Sequence, residues 1–199
     1  VVAEILAAIG ATSRTFLEFG VQDGREGSCV ALADVRGWSG WFLEADPEYH
    51  RRLAAKYAWN RRVVTSQAMV TAENINDLFG DLGIPTSIDV ASIDIDGADH
   101  EVWQALEATR PRVVVIEYNS ALDPDAALVP REPRRPWDGT QNVGSSLGTM
   151  LAIGDAKGYD LIYCEAAGVN AFFVAREAGW DGPVNDDVTR RTPSYFLSG

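Results

Sequence analysis

The chain of 199 residues is 46% hydrophobic and 23% charged, which predicts one domain with a hydrophobic core. Its net charge of −12 argues against nucleic acids and anionic membranes as partners, because both bind proteins through Lys and Arg. No apolar run approaches the roughly 18 residues that a membrane-spanning helix needs, which argues against an integral membrane protein.

The two cysteines, Cys29 and Cys164, are too few for a disulfide framework. We interpret both as reduced core residues of a cytoplasmic protein. The first residues carry no basic segment, so a signal peptide is not expected. The absence of an initiator Met leaves open that the chain is processed or is part of a longer protein. A composition rich in alanine and arginine is typical of a GC-rich bacterial source.

The first half of the chain alternates predicted helices and strands. In order, the pattern gives a helix at 1–10, a strand at 15–19, a helix at 25–36, a strand at 41–45, a helix at 48–59, a strand within 61–70 and a helix at 73–83. Gly10 and Gly37 are typical helix stops, and Pro47 occupies the first position of a helix, where proline is tolerated.

The second half continues the alternation and then departs from it. It gives a strand at 88–93, a helix at 98–109 ended by Pro111, a strand at 112–117, a helix at about 143–157 and strands at 159–164 and 170–175. Residues 120–140 are proline-rich, and we predict a lid or acceptor loop there, since long loops inside domains are often functional. The last two strands are joined by a short turn containing Gly168, which predicts an antiparallel hairpin.

This order predicts an α/β fold: one domain over 1–199 with a doubly wound, seven-stranded, mostly parallel sheet and a C-terminal antiparallel hairpin. The pattern resembles the Rossmann-like fold of class I S-adenosylmethionine (SAM)-dependent methyltransferases over essentially the whole chain. The terminal hairpin distinguishes it from an ordinary dinucleotide-binding domain.

The first predicted strand ends in Glu18-x-Gly20-x-x-x-Gly24, followed by a helix. Such a turn lets the backbone adopt positive φ and presents a helix N-terminus, where doubly wound folds bind nucleotides. The spacing resembles motif I of the same methyltransferases, E/D-x-G-x-G-x-G, with Gln22 in place of the middle glycine. The resemblance implies that Glu18, Gly20 and Gly24 bind SAM. An ordinary strand–helix turn is the alternative.

Two further positions extend the predicted cofactor site. Glu44 ends the second strand, where an acid accepts hydrogen bonds from ribose hydroxyls in doubly wound folds. A helix-capping role beside Asp46 is the alternative. The resemblance places Ala68 and Met69, after the third strand, beside the adenine, and core packing is the alternative for Met69.

The stretch Asp94-Ile-Asp-Gly-Ala-Asp-His-Glu101 follows the fourth strand. Asp94 and Asp96 lie where open α/β sheets bind ligands, and neighbouring carboxylates repel unless they are neutralised. The stretch resembles D-x-E-G-x-E of FkbM-type methyltransferases and an I-D-G-D stretch of magnesium-dependent macrolide-sugar O-methyltransferases. The resemblance implies Asp96 and Glu117 as Mg²⁺ ligands, with Asn119 as a third. The related enzymes have two adjacent aspartates where this chain has Glu117-Tyr118-Asn119.

Asp94 and His100 are the predicted catalytic residues. Asp94 would orient or deprotonate the acceptor, and a histidine near the same site could remove a hydroxyl proton because its pKa lies near neutrality. A solvent-exposed helix histidine is the alternative for His100.

Together these features predict a SAM-dependent O-methyltransferase acting on a hydroxyl of a small-molecule or sugar-like acceptor. SAM is the expected cofactor, Mg²⁺ is a candidate for a second, and a homo-oligomer is compatible with the sequence. A non-catalytic binding module with this fold and an enzyme that uses SAM for another reaction stay open.

Overall fold

The computed structural model describes residues 1–129 and 144–183. Its elements are α1 (Val2–Ile9), β1 (Thr15–Phe19), α2 (Val30–Asp34), β2 (Ser39–Glu44), α3 (Pro47–Tyr57), β3 (Val63–Gln67), α4 (Ile75–Leu82), β4 (Ser87–Ile93), α5 (Asp99–Ala105), β5 (Arg110–Glu117), α6 (Leu147–Lys157), β6 (Tyr159–Cys164) and β7 (Asn170–Ala175). A 3-10 turn at Arg176–Ala178 follows β7. Within the described ranges, none of the helices is both long and apolar enough to cross a membrane.

The strands form one seven-stranded sheet in the order β3-β2-β1-β4-β5-β7-β6. The first five strands pair in parallel, whereas β7 pairs antiparallel with both β5 and β6. The predicted α/β architecture and the terminal hairpin are therefore confirmed. Because parallel neighbours end at the same edge, the carboxyl ends of β1, β4 and β5 meet there, and the hairpin turn joins them.

Two apolar layers cover the sheet. Helices α1, α2 and α3 pack on one face against side chains such as Phe16 and Phe42, and α4, α5 and α6 pack on the other against side chains such as Leu17 and Val114. Alternate residues of each strand point to opposite faces, which explains the two layers. Cys29 and Cys164 are buried in opposite layers and form no disulfide, so the prediction that both are core residues is confirmed.

Two predicted helices are shorter in the structure than in the sequence pattern. The helix expected over 25–36 is confined to Val30–Asp34, because the preceding loop is held by a buried carboxylate. The helix expected over 98–109 ends at Ala105, since the Asn76 side chain accepts hydrogen bonds from the next backbone N–H groups. Pro111 does not end that helix and lies inside β5.

Candidate functional site

A cavity of about 790 Å³ opens at the carboxyl ends of β1 and β4. The β1–α2 loop, the start of α1, β4 and the β6–β7 hairpin enclose it. Its polar lining includes Glu18, Gln22, Ser28, Ser92, Asp94, Glu165 and Asn170. A site at this edge of the sheet is the one that doubly wound topology predicts.

Glu18 is the buried acid at the base of this cavity, with 3% of its surface exposed. Its carboxylate accepts hydrogen bonds from the backbone N–H groups of Ser28 (2.7 Å) and Cys29 (3.0 Å), at the entry to α2. A Cβ on Gly27 would lie 2.9 Å from Glu18 Oε1, so a glycine is needed at position 27. Burial raises the pKa of Glu18 to about 7, although the two backbone hydrogen bonds oppose the shift.

The loop after β1 alternates residues of positive φ: Gly20 (70°), Gln22 (53°) and Gly24 (74°). Gln22 therefore adopts the left-handed conformation that the middle glycine of the motif would adopt. The two glycines are required by protein packing. A Cβ on Gly20 would overlap the Asp94 carbonyl, and one on Gly24 would lie 2.7 Å from Leu53 Cδ1. Gly24 does not line the cavity.

Lys56 holds the far side of this loop. Its ammonium donates a hydrogen bond to the Gly24 carbonyl and forms a 2.7 Å ion pair with Asp34 of α2. The same group lies 3.1 Å from Tyr57 Oη. Helix α3 therefore fixes the glycine loop from behind and leaves its cavity side open.

Glu44 ties the same loop to the end of β2. One carboxylate oxygen accepts from the Gln22 N–H at 2.7 Å and the other from the Asp46 N–H at 2.9 Å. Asp46 caps α3 with its own side chain, so helix capping is not the role of Glu44. Glu44 lies outside the residues that line the cavity, at its β2 side.

Ala68 and Met69 lie beside Glu44. The Ala68 N–H donates to the Glu44 carbonyl at 3.0 Å, which brings the end of β3 next to the acid. Met69 is 68% exposed, so the core-packing alternative for this side chain is wrong. Glu44, Ala68 and Met69 form a shelf outside the cavity, which we call the β2–β3 shelf.

Asp94, Asp96 and Glu117 form an acidic cluster at the ends of β4 and β5. A carboxylate oxygen of each lies within 4.8 Å of the others. Asp94 and Glu117 are in hydrogen-bond contact, which requires a shared proton. Burial and the neighbouring acids raise the pKa of both groups. Asp96 is exposed and has a positive φ of 58°.

Asp99 shapes the loop that presents Asp96. It is 1% exposed, and its two carboxylate oxygens accept from the N–H groups of Ile95 (2.8 Å) and Gly97 (2.9 Å). Burial, with the charge of Asp94 as a further cause, raises the pKa of Asp99 to about 7. Asp99 lies in the first turn of α5, where an acid favours the helix dipole, but its side chain is bound by the acidic loop.

His100 and Asn119 lie near the cluster in sequence but not at the cavity wall. His100 is 8% exposed, so the alternative of a solvent-exposed histidine is wrong. Burial lowers its pKa, and its Nδ1 has no hydrogen-bond partner among the described residues. Asn119 accepts from the Ala121 N–H with Oδ1 and donates its own N–H to the Ser145 carbonyl, which fixes the turn after β5.

Sequence reasoning missed the contribution of the hairpin. Glu165 accepts hydrogen bonds from both the backbone and the side chain of Asn170, and both residues line the cavity. Asn170 pairs with Glu117 in the sheet register. The antiparallel hairpin, combined with its place beside β5, was the signal that could have located them. Of the predicted lid at 120–140, residues 130–140 lie outside the described residues.

The chain is similar in fold to solved structures that include SAM-dependent methyltransferases. The N-terminal domain of EvdMO1 with SAH bound is 16% identical with a TM-score of 0.55, over 87% of this chain and 77% of that one. The same domain in the presence of SAH and D-fucose is 15% identical with a TM-score of 0.54, over 87% and 80%. The methyltransferase domain of the bacterial CtHen1-C is 15% identical with a TM-score of 0.55, over 87% and 94%.

At these identities the likeness concerns the fold. No protein-family model and no curated protein sequence matches the chain. The resemblance to FkbM-type enzymes in particular stays a prediction.

Proposed function

We propose that this protein is a SAM-dependent methyltransferase that methylates a hydroxyl of a small, sugar-like acceptor. The observation that carries the proposal is the acid-lined cavity at the carboxyl ends of β1 and β4, in a sheet of methyltransferase order. Its volume lies in the range of roughly 300–1,000 Å³ that is typical of small-molecule sites.

The residues around the cavity fit SAM by charge and by hydrogen bonding. The cofactor carries a sulfonium and an ammonium group, and Glu18 and Asp94 supply carboxylates that attract both. Glu44, on the β2–β3 shelf, would accept hydrogen bonds from the ribose hydroxyls, and Ala68 and Met69 would contact the adenine. When bound, SAM supplies an electrophilic methyl group.

The acidic cluster supports a role in handling the acceptor proton. An acceptor hydroxyl would donate a hydrogen bond to Asp94, whose pKa of about 6 makes it a stronger base than an ordinary aspartate. Asp94 would take up the hydroxyl proton as the methyl group supplied by SAM is transferred to the oxygen and SAH leaves. Most of the rate enhancement would come from holding the two reactants in line.

A divalent cation is the second way to neutralise the cluster. Mg²⁺ and Ca²⁺ prefer oxygen ligands at about 2.0–2.6 Å, so one ion can bridge oxygens within 4.8 Å of one another. Asp94, Asp96 and Glu117 would hold it. Asn119 would be a further ligand only if its Oδ1 bound the ion while it also accepted the hydrogen bond from the Ala121 N–H. A bound cation would orient the acceptor hydroxyl and lower its pKa.

Two alternatives to this function are a non-catalytic module and an enzyme that uses SAM for another reaction. Two features favour a non-catalytic module: Gln22 in place of the motif's middle glycine, and the incomplete set of metal ligands. The loop keeps positive φ at all three motif positions, which favours a retained cofactor site. Use of SAM for another reaction stays open. D-fucose, present in one EvdMO1 crystal, supports a sugar hydroxyl as the first acceptor to test.

Calorimetry with SAH tests the cofactor site. We expect measurable binding by the wild type and at least about 10-fold weaker binding by Glu44→Gln. Glu107→Gln, at an exposed position between α5 and β5, is the matched control and should bind as wild type. No binding by the wild type contradicts the proposal, and unchanged binding by Glu44→Gln removes this residue from the ribose site. Turnover with methyl-labelled SAM and a panel of sugars then tests the acceptor.

A further inference from the structure

A second cavity, of about 340 Å³, lies at the opposite edge of the sheet, beneath α1. Arg14 and Trp38, which directly precede β1 and β2, place it at the amino ends of these parallel strands. Its lining is Ala3, Leu6, Ala7, Ala11, Arg14, Arg36 and Trp38. The cavity lining therefore combines two arginines with residues that are otherwise apolar in character.

Within the described residues, Arg14 and Arg36 form no ion pair with a carboxylate, whereas most of the other arginines there do. Arg25, Arg51, Arg52, Arg110, Arg112 and Arg176 each pair with an acid. Neither Arg14 nor Arg36 has an ion pair or a side-chain hydrogen bond within the described part of the chain, and both face the same cavity. In a chain of net charge −12, two such cations at one cavity mark a local site for an anion.

The segment that carries Arg14 is held rigidly. Asp89 is fully buried and accepts hydrogen bonds from the backbone N–H groups of Thr12, Ser13 and Arg14, the last at 2.6 Å. Arg112 donates to the carbonyls at the end of α1. A ligand would therefore meet a preorganised backbone, which lowers the entropic cost of binding.

The apolar wall of the cavity indicates that the ligand carries an apolar group besides its anionic head group. Leu6 and Trp38 belong to the core layer under α1, and three alanines complete the surface. A strongly hydrated inorganic ion would leave this surface in contact with water, whereas a ring or short aliphatic body would cover it.

We propose that the cavity between Arg14 and Arg36 binds a small organic oxyanion, a carboxylate or phosphate ester with an apolar body. Both guanidinium groups can donate paired hydrogen bonds to such a head group. Arg36 and Ala3 also line the first cavity, so the two sites share a wall at α1 without sharing the acidic cluster.

Titration of the protein with phenyl phosphate, followed through the indole N–H resonance of Trp38, tests the site. We expect a saturable shift with a Kd below about 1 mM, and at least about 10-fold weaker binding in Arg14→Gln and in Arg36→Gln. Benzoate should bind at the same position, which tests the carboxylate form of the head group. Arg61→Gln removes another exposed arginine that forms no ion pair with the described residues, and this matched control should bind as wild type.

A neutral probe tests the role of the arginines, and an anion without an apolar group tests the role of the apolar wall. Benzamide and inorganic phosphate should each bind at least about 10-fold more weakly than phenyl phosphate. The site is overturned if neither anion gives a saturable shift up to about 10 mM. It is also overturned if Arg61→Gln weakens binding as much as the substitutions of Arg14 and Arg36 do. Equal binding of benzamide overturns the role of the arginines, and equal binding of inorganic phosphate overturns that of the apolar wall. Thermal unfolding of each variant verifies that it is folded.

Discussion

The backbone of Gly20 lies directly against that of Asp94: a Cβ on Gly20 would lie 1.7 Å from the Asp94 carbonyl oxygen. The loop after β1 and the loop after β4 are therefore in contact at the one point where both carry proposed site residues. A side chain at position 20 would displace the start of the acidic cluster from the cofactor loop.

We predict that Gly20→Ala destabilises the protein by about 3 kcal/mol or more, because it adds a backbone clash to a φ of 70°. Gly80→Ala is the matched control, since a Cβ there meets nothing within 4 Å and the residue lies inside α4. It should stabilise the protein by about 0.5–1 kcal/mol. Urea unfolding measures both, and a Gly20→Ala variant as stable as wild type would contradict the close contact.

At Gln22 we expect the opposite effect: a change to glycine should stabilise the protein. A left-handed conformation costs an ordinary L-residue about 1–2 kcal/mol, and glycine avoids this cost. Gln22→Gly should therefore stabilise the protein by about 0.5–1 kcal/mol after the greater chain entropy of glycine is counted. Gln22→Val should destabilise it, because β-branched residues rarely adopt positive φ. Urea unfolding measures the change in the free energy of unfolding for both variants. Changes of the same sign would contradict backbone strain at Gln22.

The sequence predicted the sheet well because strands are marked by local patterns. The bounds of β1, β6 and β7 agree with the prediction to the residue. Helix ends were predicted less well, because α2 and α5 begin or end where distant side chains bind the backbone. Glu18 acts on the start of α2, and Asn76 acts on the segment after α5.

In the candidate site too, features set by the order of the strands were predicted and those set by distant contacts were not. Asp94, Asp96 and Glu117 were predicted to serve one site, and their carboxylates lie together because β4 and β5 are parallel neighbours. The role of Asp99 could not be predicted, since its two backbone contacts depend on how the acidic loop folds back. The contribution of Glu165 depends on the placement of the hairpin beside β5, which local patterns do not reveal.

The buried acids predict an unusual dependence of stability on pH. Burial raises the pKa of Glu18 and of Asp99 to about 7, from 4.5 and 3.8. Between these values the folded state binds more protons than the unfolded state, so stability falls as pH rises. The free energy of unfolding should be highest near about pH 4 and at least about 1 kcal/mol lower by about pH 8.

Urea unfolding across this pH range measures the effect, and Glu18→Gln should show a flatter dependence. Stability that rises from about pH 5 to about pH 8 would contradict it. At lower pH the sign reverses. Although burial raises the pKa of Asp89, hydrogen bonds from Thr12, Arg14 and Arg112 outweigh it and leave the pKa below 3.8. Protonation of Asp89 below that value removes stability.

The last prediction concerns Asp96. We expect Asp96→Asn to lower kcat/KM by about 100-fold or more while the melting temperature stays within about 2 °C of the wild type. Asparagine is nearly isosteric and tolerates the left-handed conformation that Asp96 adopts, so the fold should persist. Asp81→Asn, at an exposed position of α4, is the matched control and should retain full activity.

Chelation then separates the two ways in which the cluster is neutralised. If a cation joins Asp94, Asp96 and Glu117, EDTA should reduce wild-type activity to the level of Asp96→Asn, and added Mg²⁺ or Ca²⁺ should restore the wild type alone. If activity resists EDTA, the carboxylates contact the acceptor directly, and the proton shared by Asp94 and Glu117 is the relevant feature. Full activity of Asp96→Asn would exclude a cation held by the three acids and would remove Asp96 from the site.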